Sequence, residues 1–563
     1  MNRLAAFTIF ASACLLTLPL AVRAQATNPI SPSELSATVK TLASDDFEGR
    51  APGTAGEAKT VDYLIARFKA LGLKPGGENG SWTQSVPLVH TQVNDGQVAD
   101  GPKLAVNLGD TVIPLTQLQD IHVATLHPVD QVRIDKAALV FVGYGVNAPE
   151  RQWDDFKGVD LKGKVAVFLV NDPDFEAQPG DAVAGRFGGK AMTYYGRWTY
   201  KYEEAARRGA IGALIVHETP GAGYGWSTVI AAHGESYDVR RAADAPQPVL
   251  LQGWLQRDAA VNLFTKAGLD FEALKLKARQ PDFQPLPLGG ETFSADLGVT
   301  HTDIQSHNVL ASLPGKKHPD QTILYAAHWD AYGIGAPDAH GDRIRRGAND
   351  DGLGVAGVLE IARAFKSAPR TNRSIVFALW TAEERGLLGS ETYALHPLYP
   401  LAKTAANFTM DILNTAGPSR DVVLIGTGQN SLENDFTAAA AAQGRTVTPD
   451  AHPEKGLVYR ADHFSLSKRG VPTLLLMAIG GGPDLLDGGR AAGDKWVDDY
   501  TANCYHKACD AWSPDWDLRG ATQDIELIYD IGRKLADSGD WPQWNDGSEF
   551  KTVRAASDGL RRK

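Results

Sequence analysis

The sequence has no excess of positive charge, no internal repeat, few cysteines and only one long apolar run. Each shortage closes off a class of protein. Lys+Arg number 56 against Asp+Glu 67, a formal net charge of −11 spread along a well-mixed chain. A nucleic-acid binder usually carries a basic footprint, and none is present. Hydrophobic residues at 43% and charged residues at 22% sit near the globular average. That excludes wholesale disorder, a collagen-like fibre and a polytopic membrane protein. Outside residues 4–22 there is no run of 18 apolar residues. No G-x-S-x-G occurs, so a serine hydrolase is unsupported. His217-Glu218 does not continue into HExxH, because position 221 is Gly221. Glycine is what the chain has in quantity: 57 of 563 residues, against an average of about 7%. Loops and tight turns follow from that. At about 100–200 residues per domain the length predicts about three to four domains.

The one long apolar run reads as an address. Met1–Ala24 has a basic start at Arg3, apolar character from Leu4 to Val22, and compact side chains before a cut after Ala24. This is the pattern of a secretory signal peptide and predicts a periplasmic or secreted, soluble product. An uncleaved anchor is the alternative. Cys14 hints at a lipoprotein signal, but Ala11 stands where a larger aliphatic residue is usual. Cleavage removes Arg3 and Arg23 and takes the net charge to −13. Only Cys504 and Cys509 then remain, with four residues between them. In an oxidising compartment they read as a small disulfide loop, with a soft metal pair as the alternative.

After the leader, 25–125 opens with two helical segments between Ser31 and Leu73. Ser33 is placed to cap the first of them. The Gly/Pro turn Asp46–Gly56 separates the two. From 126 to 290 the texture is strand-rich, with one or two helices around Tyr202–Arg208, and reads as an inserted domain. From 291 to 545 strands and helices alternate. Asn308–Ser312, Thr322–Ala327, Ser374–Thr381, Ala405–Met410, Val422–Ile425 and Thr473–Met477 are strands. Gly354–Phe365, Glu433–Gln443 and Thr522–Asp537 are helices. Alternation of this kind predicts an α/β fold: a mixed, largely parallel sheet covered by helices on both faces. The tail, 546–563, is basic toward its end and reads as a solvated terminus.

The chemistry-bearing residues recur at strand ends. His328-Trp329-Asp330 follows one strand, Glu383-Glu384 another and Asp411 a third. Asn349-Asp350-Asp351-Gly352 precedes a helix, and His506 lies between the cysteines. Ligands of open α/β sheets gather outside the carboxyl ends of the strands, so the five segments can converge. Imidazole and carboxylate donors suit zinc. A short, rigid, anionic bridge is what a pair of ions about 3.5–4 Å apart requires, and Asp350 on a Gly-flanked turn fits it. Glu383 and Glu384 invite a division between proton transfer and ligation. Asp330 can fix the imidazole of His328. Each piece alone has a bland reading as a cap, a turn or a solvated helix start; their joint order is what carries the inference.

These motifs resemble the di-zinc exopeptidase family of bacterial secreted aminopeptidases and glutamate carboxypeptidases. His328-Trp329-Asp330 is similar to its His-x-Asp. Gly347–Gly354 is similar to its bridging-aspartate turn, with Leu353 where a small residue is more usual. Thr381–Ser390 is similar to its catalytic-glutamate segment, Asp411–Asn414 to its next ligand strand and Asn503–Asp510 to its last-ligand loop, disulfide included. The spacings agree: 20 residues from Asp330 to Asp350, 33 on to Glu383, and 27 from Glu384 to Asp411. The resemblance covers roughly 300–540, and 126–290 looks like the protease-associated domain that some members carry. It implies two Zn2+ ions, with His328, Asp350 and Asp411 on one, and Asp350, Glu384 and His506 on the other. It also implies Glu383 as general base and then acid, Asp330 as the group orienting His328, and Tyr505 as a donor to the oxyanion. Peptides are then the partners, without nucleic acid and without membrane insertion after leader cleavage.

The function expected on this basis is that of an exported di-zinc aminopeptidase. A carboxypeptidase of the glutamate type is the alternative and needs cations at the pocket, for which Arg343, Arg345, Arg346 and Arg460 are candidates. A glutaminyl cyclase would use one zinc, and a receptor-like relative would have lost its metals; the full ligand set speaks against both. His463, in a segment similar to one near the family's active site, reads as supporting or structural rather than as a ligand. His301, His307, His318 and His340 carry no spacing argument.

Overall fold

The computed structural model describes residues 29–94 and 103–561. The proposed leader, with Ala11 and Cys14, lies outside the described residues. No helix among the described residues is long and apolar enough to cross a membrane.

The main strands are β1 (Thr83–Val93), β2 (Ile121–Ala124), β3 (Gln131–Phe141), β4 (Val165–Leu169), β5 (Gly212–His217), β6 (Leu251–Gln256), β7 (Leu286–Leu313), β8 (His318–His328), β9 (Arg373–Trp380), β10 (Thr404–Met410) and β11 (Thr473–Leu476). The main helices are α1 (Pro32–Leu42), α2 (Ala55–Ala70), α3 (Trp198–Arg207), α4 (Leu353–Ser367), α5 (Leu388–Leu395), α6 (Leu432–Ala442), α7 (Gly489–Asn503) and α8 (Arg519–Asp537). The sheet runs β11-β10-β8-β9-β7-β3-β4-β5-β6-β2. The 28-residue β7 belongs to both halves. Its last part pairs antiparallel with β9 and β1, and its first part with β3.

In the half that follows β7, strands β11, β10, β8 and β9 are parallel. Their near-continuous apolar sequences reflect burial on both faces. Alternation sorts the side chains. Ile323, Tyr325 and Ala327 of β8 join one core with α1, α4 and α8, while Leu324 and Ala326 join another with Trp380, Tyr393 and Leu466. This is the mixed, largely parallel, doubly covered α/β sheet expected. In the other half β3, β4, β5 and β6 are parallel and β2 is antiparallel to β6. Three helices of seven residues or more lie there, Trp198–Arg207, Arg257–Lys266 and Phe271–Lys277. The expected one or two is thus too few. This layer also takes in Lys103–Leu108 and Ile121–Ala124, so the expected boundary at 125/126 falls inside it.

Two further expectations are corrected, and one expected strand lies off the main sheet. Ser31, not Ser33, caps α1: its Oγ accepts the Glu34 N–H at 3.3 Å, because Pro32 opens the helix. Residues 421–424 form the expected strand, which among the described residues pairs with Thr446–Pro449 and stands off the main sheet. The basic tail is docked, not solvated. Arg554 and Arg561 are buried; Arg554 donates to the carbonyl of Thr404 at 3.1 Å, and both guanidiniums lie over Trp541.

Helix α8 reaches the sheet at Gly532. A Cβ there would stand 1.8 Å from the hydroxyl oxygen of Tyr325, which donates to the Ile528 carbonyl at 3.0 Å. Alanine is the better helix former by about 1 kcal/mol, whereas overpacking costs about 1–3 kcal/mol. Gly532→Ala is therefore expected to lower the melting temperature, and Tyr325→Phe in the same chain to restore part of the loss. A Gly532→Ala protein melting at or above the wild type would contradict this packing.

Candidate metal centre

The carboxyl ends of β8, β9 and β10 open onto one place. His328 is the last residue of β8 and is 1% exposed. Its Nδ1 faces the Asp330 carbonyl at 3.1 Å, a group that can only accept, so Nδ1 carries a hydrogen. Its Nε2 is thereby turned to the carboxylates: 3.2 Å from Asp350 Oδ1, 3.9 Å from Glu383 Oε2 and 4.0 Å from Asp411 Oδ1. The expected partner of the imidazole was the Asp330 carboxylate. That group stands farther off, at 3.6 Å, and accepts the Glu383 backbone N–H at 3.0 Å instead. Asp330 thus orients His328 through its main chain and Glu383 through its side chain.

Asp350 sits in the turn before α4, where Gly347 takes φ +54° and a Cβ would meet the Asp350 carbonyl at 2.2 Å. Its two oxygens face two imidazoles. Oδ1 is near His328, and Oδ2 is 3.3 Å from His506 Nε2. The same His506 nitrogen is 3.2 Å from Glu384 Oε2. Donor atoms of His328, Asp350 and Asp411 lie within 4.8 Å of one another, and so do those of Asp350, Glu384 and His506. The five residues named from sequence are therefore brought together as two groups sharing Asp350. Cys504 and Cys509 are joined by a disulfide that encloses His506. Tyr505 packs its ring on His506, centroids 3.6 Å apart. Glu383 lies beside the first group, its Oε2 3.9 Å from His328 Nε2, and its carboxylate makes no hydrogen bond among the described residues.

Electrostatics show how costly this gathering is. Burial pushes Asp411 up to about 8, with Asp350 adding repulsion. Burial, then Asp411, Glu384 and Asp462, drives Glu383 well above the usual carboxylate range, with His328 opposing. Burial would raise Asp350 as well, but the two imidazoles on its oxygens hold it low. His328 is raised well above 6.5: burial opposes its charge, and Glu383, Asp330 and Asp350 outweigh that. Asp350 Oδ2 and Asp411 Oδ1 are buried without a hydrogen-bond partner. Buried carboxyl oxygens without donors, next to imidazole nitrogens, are the chemistry of a divalent-cation site, and the N/O donor set fits zinc.

Four residues that sequence reasoning missed build this geometry. The Asp510 carboxylate accepts the N–H groups of Asn349 at 3.0 Å and Asp350 at 3.1 Å. Asp351 accepts those of His328 and Gly354, tying β8 to α4. Arg50, fully buried, donates to the carbonyls of Leu42, Trp329, Arg346 and Gly347 at 2.6–2.9 Å. The Tyr332 hydroxyl meets His506 Nδ1 at 3.2 Å. Asp510 and Asp351 stood within the quoted motifs; Arg50 and Tyr332 had no spacing signal. His463 is buried away from the ligand groups beside a cavity of about 20 Å³, and burial pushes it down to about 4. His307 pairs with Glu57 and His301 faces Asp130, while His318 and His340 are exposed. Among the four candidate arginines, Arg346 is tied to Asp45 and Asp342 and Arg343 to the Gly335 carbonyl. Arg460 alone acts on Asp411 and Tyr505.

Residues 308–529 match the model of peptidase family M28. Every member of both ligand groups lies inside that segment. The chain is similar to aminopeptidase YwaD of Bacillus subtilis (strain 168), 33% identical over 145 residues, which is 24% of this chain and 29% of that one. It is also similar to carboxypeptidase Q of Xenopus laevis, 34% identical over 100 residues, 17% and 19% of the two chains. The matched segments thus span less than a third of these relatives. Among solved structures, the aminopeptidase from Aneurinibacillus sp. strain AM-1 aligns with a TM-score of 0.47 and 19% identity, over 91% of this chain and 96% of that one.

Asp510→Ala would free the N–H groups that fix the Asp350 turn. Loss of such support typically weakens metal binding about 10- to 100-fold. Competition with a chromogenic chelator should show a drop of that size; unchanged affinity would contradict the role given to Asp510.

Proposed function

We propose that the chain is an exported di-zinc metallo-exopeptidase, an aminopeptidase that removes residues from peptides with a free amino terminus. The observation that carries this reading is the pair of donor groups sharing Asp350, with the Glu383 carboxylate free of hydrogen bonds among the described residues and 3.9 Å from His328. His328, Asp350 and Asp411 would hold one zinc; Asp350, Glu384 and His506 the other. Bound there, the two ions supply Lewis acidity toward the scissile carbonyl and lower the pKa of water.

The chain's own groups supply the rest. Glu383, its backbone N–H anchored on Asp330, accepts the proton of the attacking water and delivers it to the leaving amine. Asp330 keeps His328 Nε2 turned inward. Tyr332 holds the far side of the His506 ring. Tyr505, packed against His506 and kept protonated by burial, is the donor to the tetrahedral oxyanion. The expected passage to the periplasm or beyond is part of the same proposal and rests on the leader pattern.

Glu383→Gln is expected to lower kcat by at least about 100-fold, the scale of general-base catalysis, while leaving zinc content unchanged. Asp350→Ala is expected to lose both ions and activity together. Substantial turnover by the first variant, or two tightly held ions in the second, would sink these assignments. Mass spectrometry of a mixed-sequence peptide beside its N-acetylated twin checks the reaction type. Chelator-sensitive loss of N-terminal residues from the free peptide alone is the expected result. C-terminal shortening of both peptides would make the enzyme a carboxypeptidase.

A further inference from the structure

His506 is the least enclosed of the five ligand residues. Its side chain is 32% exposed, against 1–7% for the other four. It stands in the disulfide loop with φ +60°, and its Nε2 faces Asp350 and Glu384. A ring this open keeps one orientation only if its second nitrogen is held. Among the described residues Nδ1 has one hydrogen-bond partner, the Tyr332 hydroxyl at 3.2 Å. With Nε2 given to a metal, Nδ1 carries the hydrogen and the phenol oxygen accepts it.

Tyr332 is only half-buried and needs support of its own. Its ring packs against that of His506, centroids 4.7 Å apart, and the guanidinium carbon of Arg385 stands 5.0 Å from its centre. The same carbon stands 4.8 Å from the centre of the Tyr237 ring. Tyr237 belongs to the strand Glu235–Val239, which comes from the stretch 126–290 and pairs antiparallel with β1. There it lies directly opposite His90, ring centroids 4.7 Å apart, and its hydroxyl donates to Glu235 Oε1 at 3.0 Å. His90, Tyr237, Arg385, Tyr332 and His506 thus form one column that ends on a ligand residue. Arg385 is its middle member. It follows Glu384 in the chain, is half-buried, and makes no hydrogen bond and no ion pair among the described residues. A guanidinium set between two aromatic rings is attracted to both, and its planar shape suits the gap.

We propose that Arg385 is a positioning residue of the metal centre. Clamped between Tyr237 and Tyr332, it fixes the Tyr332 hydroxyl on His506 Nδ1 and thereby sets the affinity for the second ion. This deepens the peptidase reading and rests on it for the place of His506 among the ligands. It also gives the strand Glu235–Val239 a part in the metal centre, since Tyr237 forms the outer side of the clamp.

The test measures zinc binding by the full chain in competition with a chromogenic chelator that resolves the two ions. His506→Ala marks which step belongs to the second ion. Arg385→Ala is expected to weaken that step about 10-fold, the scale of lost support behind a ligand, and to leave the first ion unmoved. Arg385→Lys, which keeps the cation without the plane, should regain part of the loss. Arg385→Met, close to arginine in length, repeats the comparison should the alanine variant not fold. Effects of independent residues multiply, whereas those of coupled residues do not. If Arg385 acts through Tyr332, the double variant Arg385→Ala/Tyr332→Phe should bind the second ion within about twofold of Tyr332→Phe alone. A second ion held as tightly as in wild type, both ions weakened alike, or losses that multiply in the double variant would overturn the positioning role. Chelator-sensitive peptide cleavage by the wild type beside any of those results leaves the peptidase reading standing. The expected zinc pattern without any wild-type cleavage would keep the role of Arg385 and overturn the peptidase reading. A wild type that binds one ion, unaffected by His506→Ala, would overturn both.

Discussion

The structure turns on a concentration of negative charge that water cannot reach. Asp330, Asp350, Asp351, Asp411, Glu383, Asp462 and Asp510 are all buried around His328. Charges withdrawn from water persist only if paired, bonded or neutralised. The chain uses each means. Asp351 and Asp510 spend both oxygens on backbone N–H groups, and Asp330 spends one. Asp350 leans on two imidazoles. Asp411 keeps an oxygen with no donor among the described residues. What is left over is anionic, inward-facing and close to imidazole nitrogen, so the folding constraint and the chemistry share one cause.

The scaffold accounts for how such a cluster is held. Parallel β8, β9 and β10 end together, so the last residue of β8, the third and fourth residues past β9 and the first past β10 converge. Arg50 closes the underside. It is placed there by three consecutive left-handed residues, Glu48, Gly49 and Arg50 itself, and it ties α1, the end of β8 and the Asp350 turn through four carbonyls. A cation that satisfies carbonyls leaves the carboxylates free for another partner. The long β7 makes the peptidase half and the accessory layer one continuous sheet, so loops of the accessory layer have a fixed relation to the site.

Much of this was legible in the residues. The apolar runs at 322–327, 374–381 and 405–410 mark strands buried on both faces, and their ends carry the ligand types. The two cysteines flank His506 as a disulfide loop would. What was not legible depended on side-chain reach across long sequence gaps. Arg50 lies 279 positions before Trp329, whose carbonyl it binds, and its turn reads as an ordinary Gly/Pro loop. Tyr332 touches His506 across 174 positions. Asp330 was expected to act through its carboxylate; the backbone of the strand end takes that place and frees the carboxylate for Glu383. The tail reads as solvated because its arginines look like surface charge, yet Trp541 and the carbonyls of 401–404 receive them.

The central claim is that two metal positions share Asp350. Anomalous diffraction at the zinc absorption edge, from crystals of the full chain grown with zinc, tests it most directly. The account predicts two peaks, one among His328, Asp350 and Asp411 and the other among Asp350, Glu384 and His506. A single peak, or peaks away from these residues, would contradict it.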